Sequence, residues 1–374
     1  MILKKIAVIL AFIFVFIQPV MAENNLSVSA KAAVLINGEN GEVIFSKNCD
    51  KRLPMASTTK IMTALLLCEY GNLEKEITVT PEMVRVEGSS MGLLAGDKVT
   101  LHDLLYGLML ASGNDAANVI AFTVGGSVKE FVDMMNAKAR ELELTSTHFE
   151  TPSGLDGDSH YTTAYELALL TKYAMQNEEF SKAVASKSAT LNYGNPPYKR
   201  TLTNHNKLLK MYDGVVGVKT GFTKKSGRCL VSAAKRDGKF LIAVTLNAPN
   251  DWQDHKTMLH YGFSAIKQTN FTPFVNGYNI PVINGEKDAL SIKIEPLTIN
   301  SLDTENLSCK IYLPKFLYAP IKKGEEVGKA VYIKGDKILT EKPILSKKDI
   351  ASLDYAENAW ESVLKIFKTI FMNI

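Results

Sequence analysis

Three β-rich runs close to one another near the middle of the chain constrain the fold most strongly. They cover residues 215–223, 228–234 and 239–247, and short Lys-Ser-Gly and Arg-Asp-Gly turns join them. Such short turns connect antiparallel neighbours, because parallel strands need a crossover of about a dozen residues or more. The sequence therefore predicts an antiparallel meander of three strands.

A hairpin near the amino terminus is the expected partner of this meander. Residues 32–37 and 42–46 are strand-like, with a Gly-Glu-Asn-Gly turn between them. The order of strands and helices predicts an α+β fold, an antiparallel sheet with a helical insert between its two parts. The helical patterns cover about residues 57–70, 101–110, 116–121, 128–142, 163–175 and 253–266.

The first 22 residues have the pattern of a secretory signal peptide. A positively charged start precedes an apolar run over residues 6–20, and Val20-Met21-Ala22 matches a small-residue cleavage site. The run is shorter than the ~20 apolar residues of a membrane span. Cleavage removes two lysines, which leaves 41 of the 43 basic residues against 39 acidic ones, a formal charge of +2. We expect an exported protein that does not bind nucleic acid.

Three further segments follow the signal peptide. Residues 23–268 form the predicted α+β domain, and residues 269–352 a small all-β domain of short strands separated by Gly, Asn and Lys turns. Residues 353–374 have an amphipathic helical pattern, with Trp and Phe beside lysines, which is typical of helices in a membrane interface. We expect this helix to attach the protein peripherally to the outer face of the cytoplasmic membrane. The alternative is a helix that packs on the folded domains. Strands in the small domain are predicted at 291–294, 310–313 and 329–333.

Metal and cofactor sites are not indicated by the sequence. The cysteines Cys49, Cys68, Cys229 and Cys309 lie far apart without a C-x-x-C pair, which argues against a disulfide scaffold or a zinc knuckle. The histidines show no H-E-x-x-H pattern. We therefore predict no metal and no cofactor.

Three short motifs occur in order on the chain and together have the pattern S-x-x-K, S-x-N and K-T-G. Each motif alone is a common turn, cap or strand end, but their joint occurrence behind a signal peptide indicates an acyl-transfer site. The motifs are Ser57-Thr58-Thr59-Lys60, Ser112-Gly113-Asn114 and Lys219-Thr220-Gly221.

A serine nucleophile needs a base within hydrogen-bond reach. Ser57 and Lys60 are three residues apart and share a helix face. Burial of Lys60, and a second cation such as Lys219, would favour the neutral amine that can act as a base. The backbone N–H groups of Ser57 and Phe222 are expected to stabilise an oxyanion, and Gly221 would let the substrate approach the strand closely.

At these residues the chain resembles the low-molecular-mass penicillin-binding proteins that are D-alanyl-D-alanine carboxypeptidases, serine peptidase family S11. The resemblance covers nearly the whole mature chain, including the small β domain and the terminal helix. It also includes Pro54-Met55-Ala56, Glu87-Gly88-Ser89-Ser90-Met91, Thr147-His148-Phe149, Gly154-Leu155-Asp156, Asn204-His205-Asn206-Lys207-Leu208-Leu209 and Gly217-Val218.

The resemblance implies removal of the terminal D-alanine from peptidoglycan stem pentapeptides through an acyl-enzyme on Ser57. β-Lactams would acylate the same serine and inhibit the enzyme. It assigns Lys60 as general base, Ser112 with Lys219 as the proton route to the leaving amine, and Asn114 to the acyl side of the substrate. The implied substrate-binding residues are Lys219, Thr220, Gly221, Phe222 and Thr223.

Some positions depart from the family pattern. Phe222 stands where some members have a histidine, and residues 250–254 lack an arginine that in some members helps to bind the substrate carboxylate. Glu166, three residues after Thr163, is expected to complete a helix capping box instead of acting as a deacylation base. The alternatives are a D,D-endopeptidase, a β-lactamase, a metallo-carboxypeptidase and a non-catalytic wall-binding protein.

Overall fold

The computed structural model describes residues 26–273, 278–292, 294, 296–303, 305–353, 363, 366 and 367. The amino-terminal half forms β1 (Ala32–Asn37), β2 (Val43–Lys47), a 3₁₀ turn (Ala56–Thr59), α1 (Lys60–Tyr70), β3 (Glu76–Thr78), β4 (Lys98–Thr100), α2 (Leu101–Leu110), α3 (Asn114–Gly125) and α4 (Val128–Glu141). The chain continues with α5 (Ala164–Ala174), α6 (Glu178–Ala185), β5 (Ser188–Gly194), β6 (Pro197–Thr203), α7 (Leu208–Met211), β7 (Val215–Thr223), β8 (Gly227–Arg236), β9 (Lys239–Leu246) and α8 (Asp251–Ala265).

The central sheet has the strand order β2-β1-β9-β8-β7, and all of its pairings are antiparallel. β1 joins the hairpin to the meander by pairing with β9, from Ala32 opposite Leu246 to Asn37 opposite Leu241. Every residue of β1 is buried, because helices cover both faces of the sheet. The predicted meander, its pairing with the hairpin and the helical insert between them are confirmed.

The two faces of the sheet pack against different helices. One face and the insert share an apolar core that includes Ile36, Leu65 of α1 and Ile120 of α3. The other face is covered by α8, with Met258 and Leu259 fully buried against it. β7 is the strand at one edge of the sheet and lies against the 3₁₀ turn Ala56–Thr59, so it can form one wall of a cleft.

The helix predicted at 57–70 begins differently from the expectation. Ser57 lies in the 3₁₀ turn, and the α-helix starts at Lys60. The hydroxyls of Thr58 and Thr59 donate to the carbonyls of Met55 and Ala56 at 2.6 and 2.8 Å. These bonds to carbonyls three residues back stabilise a tighter turn than an α-helix allows.

The sequence pattern predicts neither a helix nor a strand within residues 178–203, yet these residues form α6 and the β5–β6 hairpin. The hairpin belongs to a small sheet of order β3-β4-β5-β6 on the insert. Polar and aromatic side chains alternate weakly along it, and β6 is mostly exposed, so the period-two signal of a half-buried strand is faint.

The small carboxy-terminal domain is all-β, as predicted. Its strands are β10 (Lys267–Phe271), β11 (Asn279–Ile283), β12 (Ala289–Ser291), β13 (Leu297–Ser301), β14 (Leu307–Tyr312), β15 (Leu317–Tyr318), β16 (Glu326–Lys334) and β17 (Lys337–Leu345). The strands predicted at 310–313 and 329–333 overlap β14 and β16, whereas the one predicted at 291–294 overlaps β12 only at Ser291, where β12 ends.

The two predicted terminal segments lie mainly outside the described residues. The signal peptide, 1–22, is wholly outside them, and of the helix 353–374 only Leu353, Val363, Ile366 and Phe367 are described. Within the described part of the chain, no helix is both long and apolar enough to cross a membrane.

Candidate active site

The 3₁₀ turn that carries Ser57 lies directly against β7. A Cβ atom on Gly221 would sit 3.1 Å from the backbone nitrogen of Ser57 and 3.1 Å from the carbonyl oxygen of Met55. Ala56, just before the nucleophile, has φ of +48°, a left-handed conformation that is uncommon for alanine. The close approach explains why a glycine follows Thr220, and it places the Ser57 backbone N–H beside the strand.

Lys60 is fully buried, and its amine has three partners. Its Nζ lies 2.9 Å from Ser57 Oγ, 2.7 Å from Asn114 Oδ1 and 2.7 Å from the carbonyl oxygen of Ser153. The last two partners can only accept, and they match the two N–H groups of a neutral amine. The lone pair of that amine is then left for the Ser57 hydroxyl, which can donate.

Burial lowers the pKa of Lys60 well below that of a free lysine, and the charge of Lys219 lowers it further, against an opposing effect of Asp115. Lys219 is fully buried too, and its burial lowers its own pKa to about 7. Both shifts favour neutral amines, because the interior disfavours charge. The burial of Lys60 and the direction in which Lys219 acts on it agree with the expectation from the sequence.

Ser112 lies in the turn between α2 and α3, and Asn114 is the first residue of α3. Ser112 is buried with φ of +59°. The side-chain amide of Asn114 donates to the carbonyl oxygen of Glu87 at 2.7 Å, which directs its oxygen towards Lys60. Asp115 accepts from the backbone nitrogens of Met91 and Leu93 at 3.0 Å each, so the turn and the loop before it hold each other in place.

The residues of the K-T-G strand differ in their surroundings. The Lys219 amine donates to the carbonyl oxygen of Thr220 at 2.9 Å. Phe222 is 65% exposed. The Thr223 hydroxyl bonds to Asp156 at 3.0 Å and to Ser226 at 2.9 Å.

These elements enclose a cleft of about 370 Å³. It brings together predicted residues from all three motifs, while Thr223 is not part of its lining. The sequence motifs include neither Arg228 nor Asp251. The pairing of β7 with β8 places Arg228 opposite Phe222 and could have indicated it, whereas Asp251 comes from α8. The lining residues are Ser57, Ser89, Ser112, His205, Lys207, Thr220, Gly221, Phe222, Arg228, Asp251 and Trp252.

The hydrogen bonds of Glu166 lie within the fold and outside the cleft. The Thr163 side chain accepts from the Glu166 backbone, so Thr163 caps α5 as expected. The carboxylate does not complete the reciprocal capping box, and it accepts from the Ser146 backbone at 2.8 Å and the Thr147 hydroxyl at 2.5 Å instead. It therefore fastens a neighbouring loop, and it is absent from the cleft lining.

No cluster of three or more His, Cys, Asp or Glu side chains within the described residues has the arrangement of a metal site. The four cysteines are free thiols, and Cys229 is buried, opposite Gly221 in the β7–β8 ladder. What the arrangement offers is a hydroxyl, a buried amine of lowered pKa and nearby backbone donors, which are the parts needed for serine acyl transfer.

Known proteins are similar to this chain in both sequence and fold. A sequence model described as D-alanyl-D-alanine carboxypeptidase matches residues 19–250, and one described as the penicillin-binding protein 5 C-terminal domain matches residues 269–352. The D-alanyl-D-alanine carboxypeptidase DacF of Bacillus subtilis is 34% identical over 340 residues, 87% of each chain. DacC of Escherichia coli is 31% identical and covers 99% of this chain and 97% of its own.

Two solved structures extend the comparison. A Streptomyces DD-transpeptidase has a TM-score of 0.61 at 34% identity and covers 64% of this chain and 98% of its own. Penicillin binding protein 5 from Haemophilus influenzae has a TM-score of 0.64 at 26% identity and covers 87% of this chain and 98% of its own, including the small β domain. The chain belongs to the serine D-alanyl-D-alanine carboxypeptidase family of low-molecular-mass penicillin-binding proteins.

Proposed function

We propose that this protein removes the terminal D-alanine from peptidoglycan stem pentapeptides through an ester on Ser57. The observation that carries the proposal is the position of Lys60, whose amine is 2.9 Å from Ser57 Oγ while two carbonyl-type acceptors hold its N–H groups. A buried amine with a lowered pKa is a suitable general base near neutral pH.

In the acylation step, Lys60 takes the proton of Ser57, and Oγ attacks the carbonyl carbon of the penultimate D-alanine. The backbone N–H groups of Ser57 and Phe222 stabilise the resulting oxyanion. Ser112, with Lys219, delivers a proton to the nitrogen of the terminal D-alanine as the C–N bond breaks. Water then hydrolyses the ester, so one peptide bond and one water become a shortened peptide and D-alanine.

Recognition of the substrate involves both sides of the cleft. Asn114 contacts the acyl side, and Lys219 and Thr220 face the terminal carboxylate. The Thr223 hydroxyl is bound to Asp156, so we propose that Thr223 supports the strand and does not bind the substrate. β-Lactams carry a carboxylate and a reactive amide in a similar arrangement, and we propose that they acylate Ser57.

The test is release of D-alanine from a synthetic stem pentapeptide by the mature protein. We expect release that benzylpenicillin blocks, that EDTA does not affect and that Ser57→Ala abolishes. Thr58→Ser, a neighbour that keeps its hydroxyl, is the control and should remain active. Loss of activity with EDTA and recovery with zinc would favour the metallo-carboxypeptidase alternative.

Endopeptidase activity is a second candidate, which one observation favours. His205 and Lys207 line the active-site cleft and also a second cavity of about 600 Å³, so the two cavities adjoin at these residues. That space could receive a leaving group larger than D-alanine. Chromatography of cross-linked muropeptides before and after incubation decides the matter: separated strands support the activity, and intact cross-links exclude it.

We further propose that the protein is exported and attached to the outer face of the cytoplasmic membrane. The charged start, apolar run and Val20-Met21-Ala22 site support export. The amphipathic pattern of residues 353–374 supports peripheral attachment, with peptidoglycan within reach.

A further inference from the structure

Arg228 lies in the active-site cleft although no motif contains it. It stands directly opposite Phe222 in the antiparallel ladder of β7 and β8. Side chains alternate between the faces of a strand, so Phe222 and Thr220, two residues earlier, share a face with Arg228. A diagonal neighbour such as Thr220 is within reach of a long side chain. Arg228, Thr220 and Ser57 all line the same cleft.

One edge of the Arg228 guanidinium is fixed. Its Nε and Nη2 lie 3.0 and 2.9 Å from the same carboxylate oxygen of Asp251. The side chain of Asp251 is only 3% exposed and that of Arg228 is 42% exposed. The Trp252 ring lies 5.7 Å from Arg228 Cζ, within cation–π range. Asp251 and Trp252 therefore orient the guanidinium.

The other edge of the guanidinium is open. Arg228 Nη1 has no hydrogen-bond partner among the residues that the structure describes. A guanidinium has five N–H donors in a planar fork that matches a carboxylate. Among the described residues that line the cleft, Asp251 is the sole acidic one. Its oxygen that contacts Arg228 is already bound to Nε and Nη2. The open edge is thus a donor pair without an acceptor of its own.

We propose that Arg228 and the Thr220 hydroxyl bind the carboxy-terminal carboxylate of the substrate, and that Asp251 and Trp252 hold Arg228 in position for this contact. The inference rests on the proposed function and identifies a residue that binds the terminal carboxylate of its substrate. The stretch 250–254 contains no arginine, but its Asp251 binds Arg228 of the neighbouring strand β8.

The test compares acylation by benzylpenicillin, which has a free carboxylate, with acylation by its neutral methyl ester. Arg228→Gln should slow acylation by benzylpenicillin roughly 10- to 100-fold, the range for a lost hydrogen bond to a charged group. Acylation by the ester should change less than about threefold on the same scale. Arg228→Lys keeps the charge without the fork and should recover part of the loss.

Arg236→Gln is the matched control, since Arg236 lies at the far end of β8 beside Asp213. It should leave both rates unchanged. Equal slowing of both compounds by Arg228→Gln would show that Arg228 only supports the strand, and no slowing of either would also overturn the proposal. Wild-type protein that forms no Ser57 adduct with either compound would instead remove the proposed function, and this inference with it.

Discussion

The charge of Lys219 lowers the pKa of Lys60, although the two lysines come from opposite walls of the cleft, β7 and α1. Burial of each amine acts in the same direction and is the larger cause. The site thus holds two buried amines whose pKa values are both lowered, and Lys60 is the one in contact with Ser57.

Replacing Lys60 by arginine tests its role as a base. Arginine keeps the positive charge but cannot give up its proton in a protein. We expect acylation by benzylpenicillin to fall at least ~10²-fold, the low end for lost acid–base catalysis. Stopped-flow measurement of adduct formation checks this, with Lys207→Arg at the rim of the cleft as control. Near-normal acylation by Lys60→Arg would remove Lys60 from this role.

The pH dependence of acylation should follow Lys60. Its neutral form is the active one, so the rate at saturating penicillin should rise with pH through a midpoint below the ordinary pKa of lysine, about 10.4. Lys219→Gln removes a neighbouring charge that lowers the pKa of Lys60, and the midpoint should therefore move to higher pH. Lys207→Gln should leave it in place. A midpoint that is unmoved or lowered in Lys219→Gln would contradict this electrostatic coupling.

Glu166 is expected to stabilise the fold without acting in deacylation. Its carboxylate accepts from Ser146 and Thr147, and loss of hydrogen bonds to a charged group typically costs about 1.5–3 kcal/mol. Glu166→Gln should lower the unfolding free energy by about that amount, measured by denaturant unfolding. The exposed Glu141→Gln is the control, with an expected change of ~0–1 kcal/mol.

The decay of the penicilloyl adduct provides the second readout for Glu166. The residue is outside the lining of the cleft, so the decay rate should be similar in Glu166→Gln and wild type. A large fall in that rate in a variant that is still folded would identify Glu166 as the deacylation base.

Deletion of residues 354–374 tests the proposed attachment to the membrane. Partial insertion of several large apolar side chains, each worth ~1.5–3 kcal/mol when fully buried, should exceed the cost of ordering the helix. The truncated protein should no longer co-sediment with anionic vesicles and should keep its activity on a soluble peptide. Phe367→Glu with Phe371→Glu in the full mature chain should have the same effect. Persistent co-sedimentation or lost activity would indicate a helix that packs on the folded domains.

Local sequence patterns were sufficient for much of the fold. The meander and hairpin could be predicted because strong apolar runs and Gly-containing turns specify antiparallel neighbours. The start of α2 is likewise local, because Thr100 and Asp103 form a capping box there. The β5–β6 hairpin could not, because its exposed strand has little apolar periodicity. The apolar pattern predicts an α-helix at Ser57 and not the 3₁₀ turn. The turn depends on hydrogen bonds from the hydroxyls of Thr58 and Thr59 to backbone carbonyls, which a helical pattern does not reveal.

The site shows the same division. Ser57, Lys60 and Lys219 could be identified because each lies in a short motif whose residue types and spacing are typical of serine acyl transfer. Arg228 and Asp251 are 23 positions apart in sequence and meet only through the packing of β8 and α8. Their contact depends on tertiary structure, which no local motif encodes.

The most direct test of the account is peptide mapping of the penicillin adduct by mass spectrometry. We predict a single adduct on the peptide that contains Ser57 in the wild-type protein, and none in Ser57→Ala with an unchanged melting temperature. An adduct on another residue, or covalent labelling that persists in Ser57→Ala, would contradict the assignment of Ser57 as the nucleophile.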